Sequence, residues 1–148
     1  MGGLANQMLQ ATFSILTSKG EESFLTIWKC FEFPNIWSRQ QNPITHLGSY
    51  YFSDYFRLTM IMPFLLNRAI NVLLLKDTFI HNVIMTCNFT QKIQVFDELQ
   101  NLWIIFAKLV SLIFKKEFND INYNELRDYI SQWADLVAKV SFIYLNYI

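Results

Sequence analysis

Glycine and proline disappear from this chain part-way along it. The four glycines are Gly2, Gly3, Gly20 and Gly48, and the three prolines are Pro34, Pro43 and Pro63. From residue 64 to the end of the 148-residue chain there is neither. A β protein of that length needs glycine or proline at its turns, because tight hairpins demand positive φ or a preset φ. Helices joined by short polar turns need neither. The expected fold is all-α: an irregular bundle of five or six helices around a central apolar helix at about residues 92–117.

Periodicity places the elements. Met8, Leu9, Phe13 and Leu16 follow helical spacing, with Gly20 expected as a C-terminal stop. A second short helix is expected over about 21–32, its acidic start suiting the helix dipole. Residues 1–33 thus hold short N-terminal helices. Residues 34–48, with two prolines, one glycine and a polar run, read as a loop, and 49–148 as a helical domain forming one compact unit with the N-terminal part. A helix capped by Ser49 or Ser53 runs to about Leu75, with a kink or break expected near 59–62 because Pro63 lacks a donor and crowds the preceding turn. Asp77-Thr78 opens a helix to about Cys87. On the central helix, Val95, Leu99, Leu102, Phe106, Leu109 and Ile113 recur at three- and four-residue steps, and further apolar residues extend around the cylinder. The last helix is expected to start at Asn122, three residues before Glu125, with Leu126, Ile130, Trp133, Val137 and Val140 as its buried stripe.

Composition narrows the function. Basic and acidic residues number 12 each, so formal net charge is zero, which argues against a dedicated nucleic-acid binder. Charged residues make up 16%, against about 25% in an average soluble domain. Mean hydropathy is +0.21. Such a chain has more apolar surface than charge to cover it, so an exposed apolar patch is expected. The longest apolar run, Leu102 to Phe114, contains Lys108 and falls short of the about 20 residues that a membrane span needs. It reads as a core helix. No basic region precedes the first apolar residues, so no secretory signal is read and an intracellular location, nuclear or cytoplasmic, is expected.

Residues that carry chemistry are sparse. His46, His81, Cys30 and Cys87 are too scattered for the about four close ligands of a zinc site. No metal or other cofactor is expected. Nucleophile elbows, phosphate loops and dinucleotide turns need glycines that the chain lacks. The carboxylates read as solvated helix faces, with Asp54 and Arg57 as a helical ion pair. His46 reads as a loop histidine capping the helix after Gly48. Trp37 reads as an exposed loop tryptophan. No small-molecule site is evident, and no catalysis is expected.

One resemblance adds to this. PITHLGSYYFSDYFRLTMIMPFLLNR, from Pro43 to Arg68, resembles a segment of CACTA-type transposase relatives, in which a helical region of unassigned role follows the catalytic domain. The similarity continues through LQNLWIIFAKLVSLIF and YNELRDYISQWADLVAKV, and its distinctive residues are His46, Gly48, Asp54, Arg57 and Pro63. In that family the catalytic carboxylates sit in a separate α/β fold, so no catalytic residue carries over. The resemblance implies a non-catalytic helical domain acting in packing or assembly. The closing VSFIYLNYI stands where the family continues with a His-containing segment, which reads as a truncated or frame-shifted copy. Its partner would be protein: the remainder of a parent chain or a second copy. A stand-alone protein-binding module is the alternative reading, and a small membrane-associated helical protein a third.

Overall fold

The computed structural model describes residues 2–37 and 40–144. Seven α-helices follow in order: α1 (Gly2–Ser14), α2 (Ser18–Cys30), α3 (Pro43–His46), α4 (Phe52–Ala69), α5 (Asp77–Cys87), α6 (Lys92–Ile113) and α7 (Asp120–Tyr144). Single 3₁₀ turns at Leu47–Ser49 and Val72–Leu74 lead into and out of α4. The fold is all-α, with no strand among the described residues; one isolated antiparallel bridge pairs Leu16 with Leu75. The helix beyond the expected five or six is α3, inside the stretch read as loop. Its signal is Asn42-Pro43: the Asn42 side chain accepts from the Ile44 amide at 2.9 Å, and proline at the first helical position has its φ preset.

Gly20 is not a stop. It lies in the first turn of α2, where Thr17 is the N-cap and its Oγ1 accepts from the Gly20 amide at 3.1 Å. The same hydroxyl donates to the Leu74 carbonyl at 3.1 Å, and the Thr17 amide donates there at 2.9 Å. A Cβ on Gly20 would stand 2.6 Å from that carbonyl oxygen. Glycine is needed at 20 for close approach of two backbones, not for a left-handed residue. The Lys76 amide completes the junction by donating to the Ile15 carbonyl at 2.8 Å.

Nor does Pro63 break α4, which is helical from Phe52 to Ala69. Leu58, Thr59 and Met62 before the proline, and Leu65 and Leu66 after it, are all fully buried. Packing on both sides outweighs the about 3 kcal/mol that an interior proline costs. The cap is Tyr51, neither Ser49 nor Ser53: its amide donates to Asp54 Oδ2 at 3.0 Å.

The helix expected at about 92–117 ends at Ile113 as α6 and is central, but it shares the centre. α4 and α6 pack along one another, α1 and α2 lie on α4, and α7 and α5 lie on α6. One contiguous core runs from Ala5 in α1 to Val110 in α6. Trp103 is fully buried, and its Nε1 donates to Thr12 Oγ1 at 3.1 Å, which in turn donates to the Met8 carbonyl at 2.8 Å. Val95, Leu99, Leu102, Phe106 and Leu109 are buried as the spacing predicts, while Ile113 in the last turn is exposed. The expected stripe of α7 is rotated: Leu136 is its most buried apolar side chain among the described residues and Ile130 is exposed. α7 begins with Asn119 and Asn122 reciprocating, each amide donating to the other's Oδ1 at 3.4 and 3.0 Å. The side chain of Val140 and the closing residues 145–148 lie outside the described residues.

Candidate functional site

Three of the five singled-out residues converge where the 34–51 segment meets α4. The Arg57 guanidinium lies 5.6 Å from the centre of the Trp37 ring and 3.7 Å from Asp54. Trp37 is therefore half-buried rather than exposed. Asp54 also accepts from Gln40 Nε2 at 3.2 Å, and the same amide donates to the Asp54 carbonyl at 3.2 Å. The Tyr50 hydroxyl donates to the Gln41 carbonyl, and the Tyr55 hydroxyl to the Leu47 carbonyl at 2.7 Å. Burial, then the neighbouring Asp54 and Tyr55, push the Tyr50 phenol well above its usual range, so it remains a neutral donor. The Trp37–Arg57, Gln40–Asp54 and Tyr55–Leu47 contacts tie the segment to the start of α4.

His46 and Pro63 stand apart from this cluster. His46 ends α3, is exposed, and pairs its Nδ1 with Thr45 Oγ1 at 2.7 Å. It makes no side-chain cap, because Asn42 caps α3 and Asp54 closes the start of α4. Among the described residues no group of three or more His, Cys, Asp or Glu side chains could hold a metal ion. Both cysteines are free. Burial and the neighbouring Glu98 raise the Cys87 thiol, with Lys139 opposing them, which disfavours the thiolate. No helix of the described residues is long and apolar enough to cross a membrane.

Pro63 instead lines an open groove of about 940 Å³. α4 supplies Met60, Ile61, Pro63 and Phe64, while α6 supplies Ile104 and Ala107. Phe31 and Pro34, just past α2, flank it. Phe64 is 65% exposed and Ile104 38%. Polar and charged margins come from Glu32, Asn67, Arg68, Gln100, Lys108 and Ser111. On α6 the groove residues 100, 104, 107, 108 and 111 form one helical stripe on a different side from the buried Leu99, Phe106 and Val110. Sequence reasoning missed this groove. The α6 stripe reads Gln, Ile, Ala, Lys, Ser, which is no apolar pattern, and only the lateral packing of α4 turns it into a wall.

Comparison with protein families, with curated proteins and with solved structures gives no match to this chain.

Proposed function

We propose that the chain is a non-catalytic helical domain of a transposon-derived protein that works in packing or assembly, with the α4–α6 groove as its protein-docking surface. The observation that carries this reading is the groove itself, open, mostly apolar, and bearing an exposed phenylalanine. Apolar grooves rimmed by polar residues are how helical domains receive a partner. The transposon origin rests on the resemblance over Pro43–Arg68, whose Asp54 and Arg57 organise the start of α4 and whose Pro63 lines the groove.

The test is the full-length message across the locus. The expected result is a longer reading frame with an acidic-triad nuclease domain upstream, whose flanking segments bind this chain and lose binding to its Phe64→Glu variant. A message that starts at Met1 and stops after Ile148 would remove the fragment reading. The stand-alone binding module is the second reading, favoured by the contiguous core from α1 to α6; a single cooperative melt of the isolated chain supports it.

A further inference from the structure

We infer that the groove's occupant is a second copy of this chain, docked about a two-fold axis that passes beside Phe64. This rests on the groove being a docking surface, as proposed above, and adds what fills it. The first argument is self-complementarity. Phe64 projects from the groove's own α4 wall and is 65% exposed, so knob and hollow lie on one face. In a two-fold contact a residue near the axis meets its own symmetry mate, and two such faces fill each other.

The second argument is charge. Ser23 Oγ donates to the Ala69 carbonyl at 2.6 Å, while Thr17 and Gly20 meet Leu74. α2 therefore runs antiparallel to α4 and carries Glu32 toward the Met60 end of the groove. Arg68 marks the other end. Arg68 stands eight residues beyond Met60, about 12 Å along the axis, and Phe64 is midway. A two-fold axis through that midpoint reverses the groove, placing Glu32 of each copy over Arg68 of the other. Lys108, the remaining margin charge, stands 5.4 Å from the Tyr129 ring. Margins with both signs do not match a single-sign polymer or an anionic membrane, and zero formal net charge sets no repulsion between copies.

Sedimentation equilibrium of the full chain is the test. A concentration-dependent dimer is expected for the wild type. Phe64→Glu, which sets two carboxylates against each other at the axis, should raise the dimer dissociation constant about tenfold or more, with helical circular dichroism unchanged. Glu32→Lys and Arg68→Glu should each weaken the dimer about two- to fivefold, and the double charge swap should restore it. A monomeric wild type overturns the proposal, even if Phe64→Glu still abolishes binding of flanking parent-chain segments and so leaves the docking surface standing. A dimer indifferent to Phe64→Glu, or a charge swap that does not restore association, overturns it as well.

Discussion

α6 and α7 are the two longest helices, and each carries an apolar stripe at helical spacing, yet they end in different surroundings. α6 is enclosed on most of its circumference by α4, α5 and α7, and its Trp103 is fully buried with its Nε1 bonded to Thr12. α7 is covered along one side only. Its Trp133 stacks on Phe106 with ring centroids 5.7 Å apart, and the Trp133 Nε1 is buried with no partner among the described residues. The stripe tells which side of a helix turns inward. The number of neighbours decides how far round burial extends and whether a buried polar atom finds a partner.

Truncation in α6 should break the molecule most severely. Phe106→Ala or Leu102→Ala should each cost about 2–5 kcal/mol, because both side chains are at most 2% exposed; Ile130→Ala on α7, 48% exposed, should stay within about 0.5 kcal/mol. Denaturant unfolding checks all three, and an unchanged midpoint for Phe106→Ala would remove α6 from the centre. Next comes Gly20→Ala, expected to cost about 1–3 kcal/mol because the new methyl meets the Leu74 carbonyl. If thermal melts show Gly20→Ala to be stabilising, as an ordinary helix glycine would be, the close approach is not there. The two tryptophans sharpen the contrast directly. Trp103→Phe and Trp133→Phe delete the same atoms, but only the first breaks a hydrogen bond, so it should cost about 1 kcal/mol more. Equal losses would mean that the Thr12 bond contributes nothing. The smallest effect belongs to Arg57→Ala, expected at about 1 kcal/mol or less from the lost ion pair and ring contact, and read most sensitively as quicker amide exchange in the 34–51 segment.

Much of this was legible in local residues. The end of α5 at Asn88, which takes φ 53°, follows from a residue type that tolerates left-handed backbone. The Asp54–Arg57 pair follows from three-residue spacing. Other features carry an equally local signal that the loop and stop expectations pass over: Asn42-Pro43 announces α3, and Thr17-Ser18 announces α2. Gly20 and Pro63 carried the opposite lesson. By habit in isolated helices Gly20 is expected to stop a helix and Pro63 to kink or break one; instead Gly20 lies inside the first turn of α2 against Leu74, and α4 continues through Pro63 between buried neighbours.

The sequence by itself determined the all-α class, because turns without glycine or proline leave helices as the economical fold, and it determined the inward side of α6 through three- and four-residue spacing. The tertiary structure alone decided that α4 shares the centre, that Gly20 touches Leu74, and that a mixed stripe on α6 becomes the wall of an apolar groove. The physical reason is range. Capping, propensity and periodicity act within one or two turns, whereas a groove or a backbone close approach exists only when segments distant in the chain are brought side by side.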